Sequence, residues 1–486
     1  MRSTWLGSLL IFAIGCSSSG PRKLVDNAVL AAVSEDHSYL AYYTGPTMLP
    51  DDAITGSLSV EKIGGAPIKL ADGAFGATFN RSGDTLWFAT NPQKSTDPNS
   101  TTIYGTLQIW TPNLSAPVAI TSGLSILDAS PPDGSFVISF DAPMPMARQM
   151  GNVVLARASD CDGTACKPIM LASNVECTGV QISQDGRFAA YAITSGTGAA
   201  AEHQAWLVNV ATGAATMIAQ STLAEPIALS PDGNLFATTK EVAMAQLKLP
   251  LQLAVFSTSS MQEVTWAAQP AMTGSVQLAF TDASTLILRT QALQGASTIY
   301  KTTAGAATML GPGKFFAIQH VPAAAARWVF VSQNGTNVLE PPYDVSVYDS
   351  TAATPTATML ATAGTLPSVS DDGTQARFLD MFDATALTGN LMVSTLPAAP
   401  QMVASGVTEG ASAFALGSDE LYWLDAIGGT GSMNEWLNGK TKVVAKNVYD
   451  FRTRDMPATI WYAITAADPI TGVSAPGIYQ IPAPTP

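Results

Sequence analysis

The sequence predicts an all-β repeat fold, and three observations carry that prediction. A turn signature recurs at intervals of about fifty residues. The segments that follow it alternate, or are rich in aromatic and β-branched residues, as strands are. An amphipathic helix period is nearly absent, and the Ala-rich stretches are broken by Thr, Gly and Pro. The chain has 486 residues and a formal charge of −14, with 23 Lys+Arg against 37 Asp+Glu. So acidic a chain argues against nucleic acid as a partner. With 47% apolar and only 12% charged residues it has the material for a sizeable core, not the composition of a disordered chain.

The first segment is an address. Met1-Arg2-Ser3-Thr4 precedes about ten mostly apolar residues, the layout of a secretory signal and about half of a membrane span. It ends Ala13-Ile14-Gly15-Cys16. That ending resembles the bacterial lipoprotein box, a small residue directly before a Cys. The resemblance implies cleavage after residue 15, lipidation of Cys16, and two or more acyl anchors, which suffice for stable attachment. Residues 1–15 are then the signal peptide, and 16–27 the lipidated Cys and a short tether. Ser17 after the Cys favours a lipid-anchored protein of the bacterial cell envelope, at the outer membrane and facing the periplasm.

The repeats occupy 28–482. Their signature reads Ser34-Glu35-Asp36-His37, Arg81-Ser82-Gly83-Asp84, Pro132-Asp133-Gly134, Gln184-Asp185-Gly186 and Ser230-Pro231-Asp232-Gly233. It continues as Thr281-Asp282-Ala283-Ser284, Asp371-Asp372-Gly373 and Gly417-Ser418-Asp419-Glu420. Asp and Ser bond their own backbone two residues on, and Gly reaches positive φ without a Cβ clash. Each signature therefore turns the chain between two strands. The long gap between Asp282 and Asp372 hides a degenerate copy whose second strand is ARWVFVS, 326–332; a final unit holds TIWYAIT, 459–465. A second hairpin follows in each unit, as in SLSVEKIGGAPIKLAD (57–72) and AWLVNVATGAATMIAQ (205–220). Four short strands at this period make a propeller blade. The expected fold is a β-propeller of four-stranded antiparallel blades, with nine or ten candidate repeats, in one large ring or two rings.

Ser230-Pro231-Asp232-Gly233 with the FATT strand, and the LSVEKIGGAPIKL hairpin, resemble the repeats of TolB-type periplasmic β-propellers, within the broad WD-like group. The resemblance spans roughly 28–482. It implies blades around a central channel, whose faces bind proteins or peptides. Some members of such families sit beside peptidase domains, for which the repeats here are expected to leave no room.

Three cysteines remain, Cys161, Cys166 and Cys177. Asp162-Gly163 turns the chain between the first two and favours a Cys161–Cys166 disulfide in an exported protein; the rival pairing joins Cys177 to either. His37, His203 and His320 lie in different repeats with no metal-ligand spacing, and no elbow, P-loop or dinucleotide motif is present. The sequence therefore assigns no catalytic residue, no metal and no cofactor. Most tryptophans lie in strand patterns. Trp436 differs, because GGTGSMNEWLNGKT (428–441) reads as a Gly- and Asn-rich insert. Trp436, with Asn434 and Glu435, is the expected binding loop on one face. The function expected is that of a non-enzymatic protein- or peptide-binding scaffold lipoprotein, with an envelope protein or peptide as partner and the membrane contacted through the anchor. The alternative is a propeller enzyme, hydrolase or lyase, with its active site at the central channel.

Overall fold

The computed structural model describes most of the chain between Pro21 and Pro482; residues 1–20, 483–486 and a series of internal connections, the longest being 95–102, 143–149, 242–250, 268–275, 319–327 and 334–341, are outside the description. Cys16 and the whole lipoprotein-like segment fall among them.

The described residues are almost entirely β. One short 3-10 turn, Ala158–Asp160, interrupts a succession of antiparallel strands that pair in chain order. Three sheets have four strands each and one has three; larger sheets of seven and fourteen strands arise where one long strand serves two neighbours and, in the larger, where Ile103–Trp110 also pairs with Leu124–Ala129. Pro67–Phe79, Ile169–Ile182 and Lys440–Asp455 each pair backward through their first half and forward through their second. A left-handed residue stands at the joint: Gly73 (φ 61), Asn174 (φ 54) and Asn447 (φ 58). Gly and Asn are the residues that tolerate this conformation, so the chain bends there without strain.

The Asp turns form as their chemistry demands. In Ser230-Pro231-Asp232-Gly233, the Ser230 hydroxyl donates to Asp232 Oδ1 at 2.6 Å and accepts from the Leu235 amide at 2.9 Å. Ser183 repeats this with Asp185 and the Phe188 amide. Gly233 sits at φ 67, and an added Cβ there would meet the Asp185 carboxylate of the preceding turn at 2.9 Å. Its conformation and the stacking of successive turns both require glycine. Arg187 crosses the same gap to the Asp232 carbonyl, 2.6 Å away. The degenerate repeat is also present: Trp328–Gln333 is the second strand of a four-stranded sheet with Phe315–Ile318, Tyr343–Asp349 and Thr358–Gly364.

One regularity was not evident from the turns. Eight outer strands carry the same β-bulge, in the tripeptides Lys23-Leu24-Val25, Lys69-Leu70-Ala71, Met170-Leu171-Ala172, Met217-Ile218-Ala219, Met309-Leu310-Gly311, Met359-Leu360-Ala361, Met402-Val403-Ala404 and Val443-Val444-Ala445. In each, the first and third residues pair with successive residues of the neighbouring strand, and the middle one is the extra residue. The middle side chain packs inward, each into a cluster between two sheets. A bulge also bends an edge strand and blunts it against pairing with another chain.

The first of these tripeptides changes the reading of the N-terminus. Residues 16–27 were expected to be a tether, but Arg22–Asp26 is a strand, hydrogen-bonded antiparallel to Gly477–Pro482 at the far end of the chain. Asn27 follows at φ 49, the same joint residue as Asn174 and Asn447. The next strand, Ala28–Val33, packs against the same terminal sheet. Leu30, Val33, Leu40 and Tyr42 meet Trp461, Ala463 and Ile478 in one buried cluster. Equivalent clusters join each repeat to the next along the chain.

Candidate functional site

Cys161 and Cys166 face each other across an isolated β-bridge, with their sulfurs bonded at 1.97 Å. Arg157 steadies the turn: its Nε donates to Asp160 at 2.7 Å, and Nη1 reaches the Ala211 carbonyl at 2.7 Å. Cys177 lies half-buried on the next inner strand, its thiol directed at the Gly179 carbonyl. His203 shares a hydrogen bond of 2.9 Å with Thr194 on the adjacent strand; His37 and His320 lie outside the described residues.

The expected loop around Trp436 is a strand. Gly431–Leu437 pairs with Leu421–Leu424 on one side and with Lys440–Asp455 on the other. Trp436 is 8% exposed and packs with Leu421, Trp423, Val393 and Phe414. Asn434 is half-buried and donates to the Ser432 carbonyl. Trp436 is therefore a core residue here, not a surface anchor. The reason is that this strand is covered by a neighbouring sheet on each face, so Glu435 and Trp436 are both buried although they point to opposite sides.

Glu435 belongs to a polar cluster that sequence reasoning missed. Tyr422, directly across from it, donates to Glu420 Oε2 at 2.9 Å and lies 3.4 Å from Glu435 Oε2. Lys442, the cross-strand partner on the other side, pairs with Glu435 at 2.9 Å. Glu420, Tyr422 and Glu435 are all buried. Burial pushes the Glu420 carboxyl above the usual range, against the hydrogen bond from Tyr422, and Glu435 adds to the rise. Burial, with both carboxylates beside it, pushes the Tyr422 hydroxyl far up as well. Two carboxylates on one hydroxyl have the composition of an acid–base pair. Register across the two strands assembles the set, and no local pattern in the sequence marks it.

A second polar feature lies one sheet back. Arg377 donates through Nη1 to Ser412 of the following sheet, at 2.7 Å. Its Nε is buried without a hydrogen-bond partner, and desolvation lowers the guanidinium to about 10.

On the surface of the first repeat lies an open hollow of about 520 Å³, lined by Thr44, Thr47, Thr55, Ser57, Lys69 and Asp72 among others. Lys69 and Asp72 pair at 2.8 Å beside it. Its walls are neutral hydroxyls with one internally compensated ion pair. Among the described residues no group of three or more His, Cys, Asp or Glu is placed to hold a metal ion, and no helix is long and apolar enough to cross a membrane.

These features define an all-β repeat protein of successive antiparallel sheets. Comparison with solved structures finds distant, low-identity matches to propeller-fold proteins. TolB from Acinetobacter baumannii is 15% identical with a TM-score of 0.33, covering 67% of this chain and 81% of that one. Dipeptidyl peptidase 4 from Porphyromonas gingivalis is 10% identical with a TM-score of 0.47, covering 87% and 64%. A prolyl endopeptidase is 11% identical with a TM-score of 0.38, covering 70% of this chain; the match spans 54% of the endopeptidase, about half its length. No family profile and no curated protein matches the chain.

Proposed function

We propose that this chain is a non-enzymatic, protein- or peptide-binding scaffold lipoprotein of the bacterial cell envelope, built as a single ring of ten four-stranded blades. The observation that carries the reading is the seam: the first strand completes the last sheet, and the first and last repeats share one buried cluster. A ring joined in this way is a rigid frame, and what varies on it is the loops and outer surface, where recognition residues concentrate. The hydroxyl-lined hollow of the first repeat is the contact surface we assign to a neutral, polar partner segment. Gly15-Cys16 supports the lipid anchor, and the outer membrane is the address it favours.

The test is affinity capture from native envelopes with the soluble body lacking the first sixteen residues, beside a Ser57→Arg form that fills the hollow. One specific protein, retained by the parent and lost by the variant, is the expected result. The propeller-enzyme reading gains one specific observation, the Glu420–Tyr422–Glu435 set. Hydrolysis or elimination of an envelope substrate that Glu435→Gln abolishes would favour that reading and displace the scaffold.

A further inference from the structure

The bulged outer strands place a methionine at the same station five times. Met170, Met217, Met309, Met359 and Met402 each open the tripeptide, and each is between 43% and 64% exposed. Such exposure is uncommon for so apolar a side chain, and here it is systematic. The bulge explains it. The extra residue turns into the core, and the residue before it is left pointing away from the sheet. The same station holds Lys23 and Lys69 in the first two copies, both charged and exposed. The fold therefore accepts a polar side chain at this position. Met433, by contrast, is fully buried between the last repeats.

We infer that these five outer-strand methionines are modification sites for peroxide-class oxidants, oxidised to sulfoxides while the fold stays intact. In the reaction the thioether sulfur donates a lone pair to one peroxide oxygen and the O–O bond breaks. The sulfur keeps that oxygen as a sulfoxide, and the departing hydroxide takes the remaining proton to give water. Sulfur is oxidised by two electrons and peroxide is reduced by two. A thioether reacts where it is reachable, and its oxide is polar. At a station where lysine already stands, that polarity disturbs no packing. The outer surface changes from apolar to polar at five places, and the buried thioether is spared.

The experiment treats the folded protein with excess hydrogen peroxide and follows each methionine by peptide mapping over time. The five should oxidise at least about tenfold faster than Met433, because only exposed thioethers meet the oxidant. Protein oxidised at all five should melt within about 2 °C of the untreated form, and its retention on a phenyl column should fall as sulfoxides accumulate. Met433 keeping pace with the five would overturn the inference. So would loss of the cooperative melt as the five are converted. A variant with all five changed to Leu separates the causes: its retention should respond far less than the parent's, the remainder coming from exposed thioethers such as Met381, and a response of the parent's size would assign the change to other residues.

Discussion

Changing either of two adjacent residues, Leu360 and Met359, should have very different consequences if the bulge is placed correctly. Leu360 is 5% exposed and packs with Phe330, Val345 and Phe378 between two sheets; Met359, one residue earlier, is 59% exposed. Leu→Ala removes the equivalent of about three buried methylenes, at about 0.8 kcal/mol each. Sheets on both sides limit collapse of the cavity, so Leu360→Ala should cost about 2–4 kcal/mol. Met359→Ala removes atoms already in water and should cost no more than about 0.5 kcal/mol. Urea unfolding followed by tryptophan fluorescence measures both, with the m-value checked for constancy. A shift of one residue in the strand exchanges the two environments. Equal losses, or a larger loss for Met359→Ala, would refute the bulge and the inward role of its middle residue.

Other expectations follow from single contacts. Gly477 lies at φ 151, and a Cβ there would run into the Val25 carbonyl oxygen, so Gly477→Ala should displace the N-terminal strand and lower the melting temperature more than Gly179→Ala, which has open space around it. Glu420 has a folded pKa raised by burial, so its contribution to stability is fully present below the ordinary Glu value and is lost as pH rises through the raised one; Glu420→Gln should flatten the stability-versus-pH curve above about pH 4.3, read from urea midpoints across pH. Reducing the Cys161–Cys166 bond, which closes a loop with a sequence separation of 5, should cost about 2 kcal/mol, seen as a lower urea midpoint with reductant. Arg377→Met should raise the melting temperature, because it removes a buried guanidinium Nε that has no hydrogen-bond partner.

The Asp turns were legible because their chemistry is local: a Ser hydroxyl, an Asp two residues on and a Gly at positive φ make the turn whatever surrounds them. ARWVFVS was legible for the same kind of reason, as a run of aromatic and β-branched residues of strand length. Trp436 was not. Its strand is covered on both faces, so burial leaves no alternation to read, and the Gly and Asn around it imitate a loop. The N-terminal strand was also hidden, although Lys23-Leu24-Val25-Asp26-Asn27 matches Lys69-Leu70-Ala71-Asp72-Gly73 position by position. What concealed it is that its partner lies at the opposite end of the chain, beyond the reach of any local pattern. The Glu420–Tyr422–Glu435 set combines residues from two strands through register, which spacing along the sequence does not reveal.

The joining of the two chain ends is most directly tested by hydrogen exchange at the amides of Arg22–Asp26. Paired with Gly477–Pro482, the amides of this strand that face its partner should be protected to the same degree as those of the partner strand and should lose protection together with them in mild denaturant. Exchange of Arg22–Asp26 within seconds, as from an unpaired tail, while Gly477–Pro482 stays protected, would contradict the seam and with it the proposed ring.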